Sequence, residues 1–336
     1  MRLDELRKVA IRRRLDQVLV MDAANVLAFA GVRCDNAALQ FSAKDDEWVF
    51  HTDFRYVPMV HRVAPTFKVR DIRKLRVVGK RIGHESNISH ARFMAIQKLA
   101  GKGAKFVDIT SDLAAIRAVK TEDEIERLRA AERLNCEIWK DASERFRPGM
   151  TERDMAKTIR KMMIDRGDGE AFDTIVCVGR NAAECHHEPD DTVWSGREPV
   201  LVDMGVKLNG MCSDLTRNLV PGRARPIYRK VYELVREANL RAIESVRPGM
   251  KASALDRVAR RIIAKGGFGK CFGHSLGHGV GYEIHESPTV SSRCDMVLRP
   301  GMVTTIEPGI YLEGNLGVRI EDMVLVTEDG CEVLSR

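Results

Sequence analysis

The tetrapeptide Arg-Pro-Gly-Met occurs at 147–150 and again at 247–250, and each copy runs into a charged, amphipathic stretch that ends on glycine. The first stretch is TERDMAKTIRKMMIDRG and the second KASALDRVARRIIAKGG, closing at Gly167 and Gly267. Two related segments spaced this way must fill equivalent places in a fold built from two similar halves. Met155, Ile159, Met162 and Met163 match Leu255, Ala259, Ile262 and Ile263, so each copy carries one apolar stripe on a helix that starts just after a Pro-Gly turn. The stripes should face a sheet, leaving Arg160, Lys161, Arg260 and Arg261 outward. Strand-like sequence follows each helix, at 174–178 and in a His- and Gly-rich stretch after Gly267, and a duplicated helix-plus-hairpin unit can enclose a site between its halves.

The repeat occupies only the later part of the 336 residues, a length that accommodates two domains. Residues 1–111 mix short apolar strand candidates (17–21, 47–51 and 75–79) with a helical stretch at 89–99, the pattern of a self-contained α/β domain. Residues 112–336 form the second, α+β domain with its internal duplication. Near its start Thr121 precedes Glu124 at capping-box spacing, and Ile125, Leu128, Ala131, Leu134 and Ile138 follow at helical intervals, predicting a long opening helix.

Composition narrows the setting. The apolar stretch 18–32 is broken by Asp22 and Asn25 and is too short to span a bilayer. The charged N-terminus lacks the pattern of a secretory signal, so a cytoplasmic location is expected. Eight cysteines without a Cys-x-x-Cys pair read as reduced thiols and not as a zinc ribbon or disulfide framework. The net charge of +7 arises from basic residues interleaved with acids, a solvated surface on which no nucleic-acid partner is expected.

The chemistry concentrates after residue 200. VLVDMGVKLNGMCSDLTRNLV is two alternating runs around Asn209-Gly210, a hairpin signal. With that dipeptide as the loop, Leu208 opposes Met211, Gly205 opposes Asp214 and Asp203 opposes Thr216. Period-two alternation then puts Asp203, Gly205, Asp214 and Thr216 on one face, the two carboxylates diagonal neighbours roughly 7–8 Å apart at the backbone. Gly205 is expected to leave room between them. Two isolated aspartates would suit a solvated hairpin, but converging carboxylates repel unless a cation lies between them. Further residues favour the cation. FGHSLGHGVGYEIHESP holds three of the nine histidines, with His278 between Gly277 and Gly279. Glu307 in TTIEPGIY follows an apolar β-branched run and Glu321 in GVRIED sits within another, 318–326, and Arg319 shares a face with Glu321 and can orient it. Two Asp, one His and two Glu form a hard, oxygen-rich set suited to two divalent ions of the Mn, Co or Zn type.

The stretches LVDMGVKLNGMCSDLTR, SLGHGVGYEIHESP, TTIEPGIY and GVRIED resemble the creatinase, prolidase, aminopeptidase P and methionine aminopeptidase superfamily, whose duplicated catalytic domain is the pita-bread fold. VLVMDAANVLAFAGV and HTDFRYVPMV look like its creatinase-type N-terminal domain. The resemblance implies Asp203, Asp214, His278, Glu307 and Glu321 as metal ligands, and all five are present. It implies His186 and His285 as substrate contacts, with His274 a third pocket candidate and His187 adjacent to His186. It also implies a homodimer. The chain departs from the usual family pattern at Cys185, where proline precedes the first histidine, and at Met211, where tyrosine is usual; neither is a ligand.

The activity so implied is hydrolysis of the Xaa-Pro bond in a dipeptide or short peptide. Water between two cations is acidic enough to supply a nucleophile near neutrality. Glu307 would move the proton and His285 stabilise the oxyanion. Arg293 is the candidate for binding a dipeptide's free carboxylate, with Arg319 a further substrate-side candidate, and a dipeptidase is preferred to an aminopeptidase. The competing readings are a hydrolase of the same fold acting on a non-proline amide or other small substrate, and a non-enzymatic binding protein, which would be expected to have lost ligands that this chain retains.

Overall fold

The structure is a computed structural model that describes residues 2–222 and 224–336. It divides into two compact units between Arg117 and Ala118. The expected boundary lay earlier, but the helix Thr110–Ala118 is anchored in the first unit. Leu113 is buried with Leu6 and Val9, Asp112 pairs with Arg12 and Arg13, and Arg117 donates to Asn25 Oδ1.

The first unit is a six-stranded mixed sheet in the order Lys68–Asp71, Glu47–Thr52, Ala37–Ser42, Gln17–Val20, Arg81–His84, Lys105–Asp108. Both faces of the sheet are covered. Val18 and Val20 pack with Leu39 and Phe50 on one side, while Leu19 and Met21 pack with Ile82 and Ile96 on the other. This is why the central strand reads as an unbroken apolar run. Helix His90–Leu99 begins at the expected Ser89, whose hydroxyl caps Arg92 N. The expected strand at 75–79 does not form. Leu75 and Val77 are buried, but side chains take part of its backbone bonding, Gln40 donating to Arg76 O at 2.7 Å and Val78 N–H donating to Gln17 at 3.3 Å. The sheet continues instead through Arg81–His84.

The second unit opens with the helix Glu122–Ser143, and the Thr121–Glu124 capping box is present. The repeat then appears in the backbone. Gly149 N–H donates to Trp194 O and Trp194 N–H to Met150 O; Gly249 N–H donates to Leu298 O and Leu298 N–H to Met250 O. Each turn is completed by an antiparallel bridge, Thr151 to Val193 and Lys251 to Val297. Gly149 and Gly249 sit at φ of 96° and 83°, which explains why glycine recurs at this place in the turn. The helices that follow, Glu152–Arg166 and Ala252–Lys265, bury Met155, Ile159 and Met163 in the first copy and Leu255, Ala259 and Ile263 in the second.

Each buried stripe packs on its own sheet, one of three strands (Leu215–Leu219, Val200–Met204, Ile175–Val178) and one of five (Glu286–Val290, Gly277–Gly279, Val303–Ile306, Asp322–Val326, Cys331–Val333). Arg260 departs from the outward placement expected of it. Its guanidinium pairs with buried Asp256, donates to Phe272 O and His274 O at 2.9 Å, and lies 4.3 Å from the Phe272 ring centre. At the seam between the two sheets Glu321 N–H donates to Thr216 O at 3.3 Å and Asn218 to Arg319 O at 2.6 Å. Among the described residues, no helix is long and apolar enough to cross a membrane.

Candidate metal centre

The hairpin around Asn209-Gly210 pairs Leu208 with Met211 and Asp203 with Thr216, the register its alternation predicts. The role expected of Gly205 is different in the structure. A Cβ there would fall 2.2 Å from Ser213 O and 2.6 Å from the Phe172 ring, so the missing side chain admits neighbouring chain and opens no space between the aspartates. The glycines flanking His278 act similarly, since a Cβ at Gly277 would lie 2.0 Å from Thr305 O and one at Gly279 2.3 Å from Ser287 O.

Close approach at these positions brings the site together. His278 Nε2 is 3.5 Å from Asp214 Oδ2 and 3.4 Å from Glu307 Oε1. Asp214, His278 and Glu321 each offer a ligand atom, all three within 4.8 Å of one another. Glu321 accepts the Thr216 hydroxyl at 2.7 Å, and the Thr305 hydroxyl donates to Glu307 at 3.3 Å. His278 is oriented through its other ring nitrogen: Nδ1 lies 3.1 Å from Gly279 O, and a carbonyl only accepts, so the proton sits on Nδ1 and the Nε2 lone pair faces the carboxylates.

Arg319 is only 2% exposed and lies behind the cluster. It donates to Asp203 Oδ2 at 2.6 Å, to Thr216 Oγ1 at 3.1 Å and to the Tyr311 hydroxyl at 2.8 Å. Its donors are thus engaged in bracing the acidic residues. It also reaches Glu321 only through Thr216. Tyr311 extends the brace to His274 Nε2 at 3.0 Å, while His274 Nδ1 donates to Ser275 O. Sequence reasoning missed Tyr311, although it ends the TTIEPGIY stretch; the signal was an aromatic hydroxyl two residues from Gly309, where a Cβ would meet that hydroxyl at 2.5 Å.

The electrostatics match the geometry. Burial pushes the Asp214 carboxyl well above its usual range, and Glu321, Asp203 and Glu307 push the same way. Burial raises Glu307 to about 8, with Arg319 opposing, and raises Glu321 well above the usual range, helped by Glu307 and Asp203. Burial holds His278 and His274 down at about 4, leaving both neutral near pH 7. Asp203 Oδ1 is buried without a hydrogen-bond partner while Oδ2 holds Arg319. A lone pair on neutral imidazole, an orphaned carboxylate oxygen and acids that cannot all ionise unaided form a donor set that fits divalent cations.

The remaining candidates are placed as follows. The His285 ring centre is 4.4 Å from that of His278, and the next residue, Glu286, forms a buried ion pair with Lys120 at 2.9 Å. His186 is exposed and close enough to His274 for its charge to depress that ring's basicity. His187 turns away to Glu152 at 2.8 Å. Glu152, His187 and Asp190 form a second compact group, but both Glu152 oxygens already accept hydrogen bonds, from Val178 N–H, Asn181, His187 and Asp190 N–H. Arg293 is exposed, in a turn that bonds to the first residues of helix Ala252–Lys265, and makes no hydrogen bond or ion pair among the described residues. Cys185 lies beside Arg319, its sulfur 3.7 Å from the guanidinium, and Met211 is buried in an apolar cluster with Leu128 and Met323.

Comparison with known proteins agrees with this arrangement. Residues 2–119 match the creatinase/prolidase N-terminal domain and residues 126–328 metallopeptidase family M24. The Xaa-Pro dipeptidase of Pyrococcus furiosus is 34% identical over all of this chain and 97% of its own length. The prolidase from Pyrococcus horikoshii superposes with a TM-score of 0.94 at 31% identity, covering 100% of this chain and 98% of the other. An X-Pro aminopeptidase from Thermotoga maritima gives 0.86 at 32% identity, covering 97% of each chain. With a creatinase-type domain followed by a duplicated catalytic domain whose acids and histidine converge at the seam of two sheets, the chain belongs to metallopeptidase family M24 and is a metal-dependent hydrolase.

Proposed function

We propose that this chain hydrolyses the Xaa-Pro bond of dipeptides, using two divalent cations of the Mn, Co or Zn type held by Asp203, Asp214, His278, Glu307 and Glu321. The observation that carries this reading is the convergence of those side chains around the free Nε2 of His278 and the unpartnered Oδ1 of Asp203. When bound, such cations activate water and polarise a carbonyl. The protein's own groups do the rest. Glu307, held by Thr305, takes a proton and returns it to the leaving proline nitrogen. His285, beside His278, stabilises negative charge developing on the carbonyl oxygen. His274, neutral and fixed by Tyr311 and Ser275 O, and exposed His186 contact the substrate. Arg293, free of other partners, binds the dipeptide carboxylate. The enzyme works in the cytoplasm as a homodimer.

The likeness to an X-Pro aminopeptidase makes peptide length the point to test. Metal-free protein should be reloaded with Mn²⁺, Co²⁺ or Zn²⁺ and assayed on an Xaa-Pro dipeptide and the matching Xaa-Pro-Xaa tripeptide. The dipeptide should be cleaved faster, and Arg293→Ala should raise its KM by roughly 10-fold or more while leaving that of the tripeptide nearly unchanged. Equal KM effects remove Arg293 from the site, and faster tripeptide cleavage makes the enzyme an aminopeptidase. Absence of Xaa-Pro hydrolysis with all three metals overturns the reading.

A further inference from the structure

Two long helices, Glu122–Ser143 and Pro226–Ser245, each run into one of the Arg-Pro-Gly-Met turns. Their buried faces are mainly apolar, with Leu128, Ala131 and Ile138 on the first and Val231, Val235 and Ala238 on the second. Each face is interrupted by an almost inaccessible asparagine, Asn135 at 0% and Asn239 at 2% exposure. Burying an amide where an aliphatic side chain would pack costs free energy unless its hydrogen bonds are needed. For Asn135 the cost is sharpened because its Oδ1 has no partner.

The partners of these amides are not spread at random over the sheets. Asn135 Nδ2 donates to Met204 O at 3.1 Å, one residue after Asp203. Asn239 Nδ2 donates to Ile306 O at 2.9 Å and reaches Ile320 O at 3.4 Å, the residues immediately before Glu307 and Glu321. Glu132, one turn before Asn135 and fully buried, accepts the backbone N–H of Asp214 at 3.1 Å and the Ser335 hydroxyl at 2.6 Å. Each of the four acidic ligands therefore has its own backbone, or that of its neighbour, tied to a buried polar side chain of a long helix. His278 is held differently, from within the sheet: its N–H donates to Thr305 Oγ1 and its carbonyl accepts from Thr304.

We infer that Asn135, Asn239 and Glu132 are positioning residues of the metal centre, fixing the backbone from which Asp203, Asp214, Glu307 and Glu321 project. The inference rests on the proposed reading of those four residues as ligands. Asn239 serves two ligands and Asn135 one, so their effects on the metal should differ in that order.

Titration of metal-free protein with Mn²⁺, following free Mn²⁺ by electron paramagnetic resonance, tests this without reference to turnover. Asn239→Ala should weaken Mn²⁺ binding by roughly 10- to 100-fold and Asn135→Ala by less. Glu132→Ala should weaken it too, whereas Glu132→Gln, which retains an oxygen to accept the Asp214 N–H, should restore most of the affinity. A role confined to anchoring helix to sheet would lower the melting temperature of the metal-free variants and leave Mn²⁺ affinity unmoved; that result in any folded variant overturns the inference. If an alanine variant does not fold, Asn239→Ser and Asn135→Ser face the same criterion. Wild-type protein that binds none of Mn²⁺, Co²⁺ and Zn²⁺ would instead refute the ligand reading itself.

Discussion

In the first half of the catalytic unit the helix after the Arg-Pro-Gly-Met turn is tied to its strand by Glu152, and in the second by Asp256; both carboxylates are 0% exposed. Glu152 accepts the N–H groups of Val178 and Asp190 and meets His187, a partner whose charge depends on pH. Asp256 accepts the N–H of Leu276 and pairs with Arg260, a permanent cation that also binds two carbonyls. The turns match closely in backbone hydrogen bonding while the buried charge is compensated by different chemistry one helical turn apart. After duplication, the backbone geometry of a repeat is held by its glycines and cross-bridges, and the partners of a buried acid remain free to change.

The largest expected difference lies in removing the two acids. Glu152→Ala strands the N–H groups of Val178 and Asp190 and takes one partner each from Asn181, which keeps Thr192, and His187, which keeps Glu184, and should cost about 3–5 kcal/mol. Asp256→Ala strands one N–H and leaves Arg260 on Phe272 O and His274 O, for about 2–3 kcal/mol. Denaturant unfolding of both variants decides the matter, and a reversed order would break the comparison.

A smaller difference sits at the helix starts. Thr151 and Asp154 form a capping box, whereas Lys251 occupies the equivalent place without a side-chain cap. Thr151→Ala should lose about 1 kcal/mol, and Lys251→Thr combined with Ala254→Asp should gain up to about 1 kcal/mol. The ion pair of Lys251 with Asp295 is lost in the double variant, but both side chains are more than half exposed and contribute little. No gain in the unfolding midpoint would mean that the two starts are not equivalent.

The smallest effect is one of pH. Burial disfavours the His187 imidazolium, but hydrogen bonds to Glu152 and Glu184 outweigh it and raise the pKa above 6.5. Its stabilising contribution is therefore complete below pH 6.5 and is lost as pH rises through the folded-state value. The second half, with Arg260 in the matching role, should lack this dependence. Melting temperatures of wild type and His187→Gln should converge as pH rises above that window, and a constant gap would leave the imidazolium without a role.

The features legible in the sequence were those with short-range causes. Asn209-Gly210 and period-two alternation set the hairpin register, and Thr121 with Glu124 marked a helix start. Recurring Arg-Pro-Gly-Met disclosed the two halves. Misreadings arose where a distant partner decided the outcome. Residues 75–79 carry strand-like side chains, but Gln17 and Gln40 bond to their backbone from other strands. Arg260 was expected on a solvated face because the pocket formed by Phe272 and His274 is assembled only by the fold. Arg319 was expected to orient Glu321 directly, whereas the fold brings Asp203, Thr216 and Tyr311 around it and Thr216 mediates the contact. Between the adjacent histidines only the resemblance chose His186, and the partner that turns His187 away, Glu152, is brought beside it by the fold.

The crowding at Gly205, Gly277 and Gly279 bears on how a substitution scan of this protein would look. None of the three binds a metal or reacts, and none has a positive φ, yet any side chain at these positions places its first carbon 2.0–2.3 Å from a backbone oxygen. Gly317 is tighter still, at 1.6 Å from Ala182 O. Backbone cannot rotate aside as a flexible side chain can, so even alanine should be rejected at all four. In such a map the outline of the centre would be traced by residues with no chemistry, and intolerance alone could not distinguish a ligand from the space that lets the ligand arrive.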